Sequence, residues 1–262
     1  MSPDATFPRY PIMDTAIDNV SMAEALDLID RFVTGRTPRI IVTANVDHLM
    51  LMRKNAAFRE AYGRADVVTC DSVPLKWALA FLGTPIKERV AGADLFIALA
   101  PRAAEKGYRL FYLGAAPGVA EEAAAALRER FPSLNVVGMY SPPVMSAEEL
   151  AADEETLHRV RDARPDVLFA AFGAPKQELW LDAVKERLGV PVSVGVGAAF
   201  DFAAGTVKRA PRWMQRCGLE WFYRLTQEPG RLWRRYLLVD SRFVCYVLRE
   251  KLRRRKAAKA PG

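Results

Sequence analysis

Five short segments of this 262-residue chain place polar or glycine residues where an apolar run ends. They are Thr43 and Asn45, Asp71, Gly114, Gly173 through Gln177, and Gly197 through Asp201. Asp71 closes the run V-V-T-C-D. A carboxylate there either caps the helix that follows or accepts a proton as a general base. G-A-A-P-G, opening at Gly114, offers glycines and a helix N-terminus to a phosphate, or is a plain tight turn. F-G-A-P-K-Q-E begins at Phe172 and puts Lys176 and Gln177 in a first helical turn. The Gln177 amide both donates and accepts, which suits a sugar hydroxyl or acetamido group. Cys70 reads as a buried structural thiol, and His48 and His158 as ordinary helix residues. The three cysteines lack C-x-x-C spacing, two histidines are too few for a histidine-rich metal centre, and no D-x-D pair is present to hold a cation on a diphosphate.

The elements that must carry these residues alternate. Strands are expected at Arg39–Asn45, Ala65–Asp71, Tyr108–Gly114, Asn135–Tyr140, Asp166–Gly173 and Pro191–Gly197. Helices are expected at Ser21–Val33, Val46–Tyr62, Val73–Leu82, Ala93–Glu105, Val119–Phe131, Ala147–Arg164 and Lys176–Leu188. Continuous apolar strands separated by helices specify an α/β fold, a mostly parallel sheet with helices on both faces. Ligands of such sheets bind at the carboxyl ends of the strands, and the five segments converge on that edge.

Charge is uneven. From Lys208 onward there are sixteen Lys/Arg and four Asp/Glu, against 22 and 27 in the preceding 207 residues. Residues 207–250 interleave Trp213, Trp221, Phe222, Tyr223, Trp233, Tyr236 and Phe243 with arginines, and three short helices are expected there, broken near Gly218 and Pro229. That composition suits a helical appendage on an anionic membrane surface. The basic end from Lys251 is expected to be disordered. The longest uncharged apolar run, Leu188–Phe200, is 13 residues, short of the roughly 20 a spanning helix needs. The N-terminus lacks the pattern of a secretory signal, so the expected address is cytoplasmic, peripheral on the inner face of the cell membrane. No nucleic-acid motif is present.

These residues resemble the WecG/TagA/CpsF glycosyltransferases from about Ile17 to Leu237. The stretches that carry the likeness are T-A-N (43–45), the acidic strand end at Asp71, E-R-V-A-G-A-D-L (88–95), Y-L-G-A-A-P-G-V-A (112–120), G-A-P-K-Q-E (173–178), G-V-G-A-A-F-D-F-A-A-G (195–205), R-A-P-R-W (209–213), and G-L-E-W-F-Y-R-L-T-Q-E-P-x-R-x-x-R-R-Y (218–236). The resemblance implies a Rossmann-like domain over 1–206 with a membrane-associating helical appendage over 207–262. It implies an inverting transferase without cofactor or metal, moving N-acetylmannosamine or a related hexose or uronic acid. The donor would be a UDP-sugar and the acceptor a polyprenyl-diphosphate-linked saccharide of cell-surface polysaccharide assembly; a homo-oligomer is allowed. A UDP-sugar-binding non-catalytic relative and a nucleotide-sugar hydrolase are the alternatives.

On the family pattern Asp71 is the base, Thr43, Asn45 and Gln177 surround the donor sugar, and Arg89 lies near phosphate. Asp201 and the turns at Gly114, Gly173 and Gly197 hold the nucleotide beside Lys176. Arg224, Arg231 and Arg234 close over the diphosphate. Two positions depart from that pattern: Ser72 and Ala198 stand where glycine is usual. A turn requiring positive φ would be strained at Ser72, and Ala198 would add a methyl group beside the nucleotide loop.

Overall fold

The computed structural model describes residues 7–227, 229–233 and 241–257. The chain runs β1 (Arg9–Ile12), β2 (Thr15–Asp18), α1 (Met22–Gly35), β3 (Arg39–Ala44), α2 (Val46–Met52), α3 (Ala56–Arg64), β4 (Val67–Cys70), α4 (Val73–Phe81), α5 (Gly92–Lys106), β5 (Leu110–Gly114) and α6 (Val119–Arg130). It continues through β6 (Val136–Tyr140), α7 (Ala147–Ala152), α8 (Glu154–Ala163), β7 (Val167–Ala171), α9 (Lys176–Leu188), β8 (Val192–Gly195) and α10 (Ala199–Ala204). The last helices are α11 (Arg212–Arg216), α12 (Glu220–Gln227), α13 (Pro229–Trp233) and α14 (Arg242–Ala257).

Strands β3 to β8 form one parallel sheet in the order β4-β3-β8-β7-β5-β6. Side chains alternate across it, as the two-residue period of a strand requires. Ile40, Val42, Ala44, Leu168 and Ala170 enter the core under α2, α3, α4 and α9, whereas Ile41, Val67, Val167 and Phe169 enter the core under α1, α5 and α6. Both faces are covered, which is why the strands read as unbroken apolar runs. The chain leaves β3 outward to β4 but reaches β8 from β7 on the other side. The helices that follow these two neighbouring strands lie on opposite faces, α2 after β3 and α10 after β8, so a crevice opens between their carboxyl ends.

Three local features differ from the sequence expectation, and in two of them a short polar side chain divides an expected helix. The Val46–Tyr62 helix is two helices, since Asn55 caps α3 by accepting from Phe58 N–H. The Ala147–Arg164 helix is also two, since Asp153 caps α8 by accepting from Thr156 N–H. Ser72 is the N-cap of α4 at φ −130°, accepting from Leu75 N–H. The strain expected at Ser72 is thus absent, because that φ is ordinary extended backbone. Ala198 is similarly unstrained at φ −82°.

The antiparallel β1–β2 hairpin carries no glycine signal, turning at Met13 (φ +52°) and Asp14. It closes the outer edge of β4, where the buried Asp18 carboxylate accepts Val68 N–H at 2.7 Å.

In the C-terminal region Gly218 (φ +68°) makes the expected break, whereas Pro229 opens α13. Helix α14 buries Phe243 and Val247 in the domain core and is tied down by Lys251 Nζ to Phe81 O and Arg254 Nη2 to Pro11 O, both 2.5 Å. The basic run from Lys251 to Lys256 is helical rather than irregular. Tyr236 and Leu237 lie outside the described residues. Among the described residues no helix is long and apolar enough to cross a membrane.

Gly138 in β6 shows how tightly the sheet edge is packed: a Cβ there would lie 2.4 Å from Phe111 Cε2. Gly138→Ala is expected to destabilise the fold by about 1–3 kcal/mol, read as a lower urea midpoint at unchanged slope.

Candidate active site

The carboxyl ends of β3, β4, β7 and β8 open into a cavity of about 940 Å³. The C-terminal helices close its far side, contributing Gly218, Glu220, Trp221, Arg224, Phe243 and Val244. Thr43 is the penultimate residue of β3, and its carbonyl is pinned by the Tyr62 hydroxyl, which donates at 2.9 Å. His48 Nδ1 lies 2.9 Å from the same oxygen and 2.7 Å from the Tyr62 hydroxyl, so this histidine positions the strand end. Asn45 caps α2, accepting His48 N–H through Oδ1 at 3.0 Å. Its amide NH₂ has no partner among the described residues, and the residue lines the cavity.

Asp71 follows β4, and its N–H donates to Ala44 O at 2.7 Å, extending the β3–β4 pairing by one residue. Because Ser72 does the capping, the Asp71 carboxylate is left for the cavity. Thr43 Oγ1 donates to Asp71 Oδ2 at 3.3 Å. Arg89 Nη1 donates to the Asp71 carbonyl at 3.3 Å and lies 3.9 Å from Oδ1. Burial drives the Asp71 carboxyl up to about 7; the Arg89 guanidinium opposes this, while Glu220 and Asp94 push in the same direction as burial. That value suits a general base at neutral pH. Burial pushes the neighbouring Cys70 thiol up to about 12, which agrees with a structural rather than nucleophilic role.

Arg89 is the centre of an ion-pair cluster. Its Nη2 lies 2.6 Å from Asp94 Oδ2, and its Nη1 lies 3.8 Å from Glu220 Oε2. Arg209 bonds both carboxylate oxygens of Asp94 and, through Nε at 3.3 Å, Glu220 Oε1. Arg209 and Arg224 each set a guanidinium over the Phe202 ring, at 5.6 and 5.8 Å. Arg224 lines the cavity and has no carboxylate partner among the described residues; Asp201 lines it as well. Asp94, Phe202, Arg209 and Glu220 were not singled out from the sequence. They lie inside the stretches that carry the family likeness, but nothing in their spacing assigns them a function.

Gln177 lines the cavity but is only 2% exposed. Its Oε1 accepts Gly173 N–H at 3.2 Å and Gly197 N–H at 3.1 Å, and its Nε2 donates to Glu178 Oε1 at 2.8 Å. Both acceptor positions of the amide are thus used within the protein. Contrary to the expectation from its chemistry, Gln177 clamps the two glycine turns together, and those two N–H groups are already engaged. Glu178 is itself buried, with Oε2 unpartnered, and burial raises its carboxyl to about 7.

Gly114 and Lys176 do not line the cavity. Gly114 ends β5, beyond the four strands that frame it; a Cβ there would strike Ala171 O at 2.8 Å, so glycine is required for strand packing. Lys176 sets its ammonium 5.0 Å from the Phe172 ring centroid, and partial burial lowers its pKa. Arg231 is on α13 with its side chain outside the described set, and Arg234 lies outside the described residues. Among the described residues no group of three or more His, Cys, Asp or Glu side chains is placed to hold a metal ion.

The sequence pattern of the glycosyl transferase WecG/TagA/CpsF family matches residues 10–257. The chain belongs to that family. As a WecG/TagA/CpsF glycosyltransferase it is 34% identical over 209 residues to an N-acetylglucosaminyldiphosphoundecaprenol N-acetyl-beta-D-mannosaminyltransferase of Bacillus spizizenii, covering 80% of this chain and 78% of that one. It is 28% identical over 233 residues to the enzyme of the same description from Bacillus subtilis, covering 88% of each. A solved structure of an arylmalonate decarboxylase mutant in a sulfate-associated form aligns over 73% of this chain and 77% of its own. Its identity is 22% and its TM-score 0.28, a score from which no shared architecture follows.

Gly195 leaves room for the clamp: a Cβ there would sit 2.9 Å from Gln177 Nε2. Gly195→Ala is expected to displace the amide and separate the two turns. Steady-state assays should show turnover falling by up to about 10²-fold, the scale of a misplaced catalytic geometry, while circular dichroism retains the α/β signature.

Proposed function

We propose that this glycosyltransferase moves an N-acetylmannosaminyl group from a UDP donor to a polyprenyl-diphosphate-linked N-acetylglucosamine. The single observation that carries the reading is Asp71: a carboxylate at the cavity floor, held by Thr43, excluded from helix capping, and bordered by Arg89. The descriptions of the two Bacillus relatives supply the sugar and acceptor classes. A cavity of about 940 Å³ also suits a nucleotide-sugar beside an acceptor sugar.

In the proposed reaction an acceptor hydroxyl attacks the anomeric carbon and gives its proton to Asp71. The bond from that carbon to the diphosphate oxygen breaks, and UDP leaves with the electron pair. One displacement inverts the anomeric centre. Arg224, with Arg231 and Arg234 from the family pattern, would meet the diphosphate, and Arg89 supports it from the floor. The Asn45 amide faces the sugar, and the Asp201 carboxylate accepts from ribose hydroxyls. The domain over 1–206 supplies the base and the appendage over 207–262 supplies the cations.

A long lipid acceptor implies a membrane surface, so we place the protein peripherally on the cytoplasmic face. Trp77 and Phe81 on α4 and Val244, Leu248 and Leu252 on α14 are large, exposed and apolar. The two helices are joined by the Lys251–Phe81 bond, and the basic run of α14 flanks the patch. This surface suits the interface of an anionic bilayer.

Asp71→Asn is expected to reduce turnover about 10²–10⁴-fold without loss of fold, measured as UDP release with a short-chain lipid-diphosphate N-acetylglucosamine. Full activity in that variant removes Asp71 from the mechanism, and free sugar released without acceptor marks a hydrolase. The base works ionised. With its carboxyl raised to about 7, kcat/KM should therefore rise with pH through about 7 and fall away below it. Separately, the combined Phe81→Ser, Leu248→Ser and Leu252→Ser protein should bind phosphatidylglycerol vesicles at least about tenfold more weakly, the equivalent of roughly 1.4 kcal/mol. Its turnover of a water-soluble acceptor should be unchanged; equal vesicle binding by the parent and the variant would refute the surface.

A further inference from the structure

Glu220 opens α12 immediately beyond the Gly218 turn. That turn is seated on α4, the helix that follows Asp71: a Cβ on Gly218 would lie 3.1 Å from Val73 Cγ1 and 3.2 Å from Trp77 Cη2. The seating brings the Glu220 carboxylate from the C-terminal region to the floor of the cavity. There Arg89 Nη1 lies between two carboxylates, 3.8 Å from Glu220 Oε2 and 3.9 Å from Asp71 Oδ1. The guanidinium closes on neither. Its short pair is with Asp94, at 2.6 Å, and Glu220 is held in turn by Arg209 at 3.3 Å.

The charged groups facing Asp71 are therefore Arg89, Asp94 from α5, Glu220 from α12 and Arg209. Thr43 adds a hydrogen bond, and the adjacent Cys70 thiol is neutral. Three carboxylates share two guanidiniums, leaving one excess negative charge in a partly desolvated cleft. A carboxylate paired closely with an arginine holds its charge firmly and is a poor proton acceptor. If Glu220 were absent, nothing on the α12 side would hold Arg89 away from Asp71.

We propose that Glu220 is a positioning residue for sugar transfer: by holding Arg89 between itself and Asp71 it keeps the guanidinium off the base, so Asp71 accepts a proton well only when α12 is seated. The proposal rests on the reading of Asp71 as the base and adds a second task for the C-terminal region, distinct from supplying cations to the diphosphate. Seating of α12 and readiness of the base become one event, so the reaction is coupled to the position of the appendage.

The test uses the full-length protein with UDP-N-acetylmannosamine and a short-chain lipid-diphosphate N-acetylglucosamine, comparing kcat/KM against pH for the parent, Glu220→Gln, Glu220→Asp and Asp71→Asn. Loss of one like charge at this range should move the acid limb of Glu220→Gln down by about 0.5–1 pH unit. Its plateau should fall about three- to tenfold as the base weakens. Glu220→Asp keeps the charge on a shorter arm and should lie between. A carboxyl ¹³C titration of aspartate-labelled protein, with the Asp71 signal identified by its loss in Asp71→Asn, reads the same midpoint without activity and serves if a variant turns over too slowly. An unmoved midpoint in Glu220→Gln with an inactive Asp71→Asn overturns this inference and leaves the base reading standing. Activity retained in Asp71→Asn overturns the base reading itself.

Discussion

Arg89 is the cation on which the site depends. It touches the body through Asp94 and the Asp71 backbone, and reaches the C-terminal region through Glu220. A half-buried carboxylate beside an arginine can be a paired ion or a working base, and the balance is set by what else the arginine must satisfy. Here the guanidinium is divided among three acids. The same cluster that tunes the floor of the cleft also joins elements more than a hundred residues apart, since Arg209 and Glu220 complete it. Site chemistry and the docking of the last helices are thus held by one set of ion pairs in a partly desolvated cleft.

A second constraint is the polar clamp at the β7 and β8 ends. Gln177 gives both acceptor positions to glycine N–H groups in separate turns, and Glu178 accepts from its amide. A buried polar chain of this kind specifies one spacing of the turns, because any other leaves an amide or carboxyl unpaired. Gly195 belongs to the same device, being small where the glutamine must pass. The cleft is shaped here by atoms that a ligand never needs to touch.

Much of this was legible in the sequence. The six buried strands, the helices between them and the convergence of Thr43, Asn45, Asp71, Gly173 and Asp201 on one edge follow from apolar runs ended by polar residues. What was not legible depends on competition between neighbours. Asp71 could cap or catalyse on position alone, and the cap of Ser72 removes the capping role. Gln177 looked outward by its chemistry but is turned inward by two N–H groups brought together only by the fold. Gly114 reads as either a phosphate loop or a plain tight turn, and the constraint visible in the structure is the Ala171 carbonyl of the next strand. Asp94, Arg209 and Glu220 carry no local signature, because ion pairs across long separations have no period. The β1–β2 hairpin carries no sequence signal because its turn has no glycine.

The strand order has a consequence for synthesis. The two strands at the middle of the sheet, β8 and β7, are the last two of the six to leave the ribosome, and the outer pairs β3–β4 and β5–β6 precede them. Before β7 emerges only the two outer strand pairs exist, and until Gly195 has emerged β8 cannot bridge the β3–β4 side to the β7–β5–β6 side. Joining them requires contacts between distant parts of the chain, a topology of high contact order that slows folding and leaves open edges in need of protection meanwhile. The crevice between β3 and β8 needs both strands, so a translation product truncated ahead of Val192 lacks it.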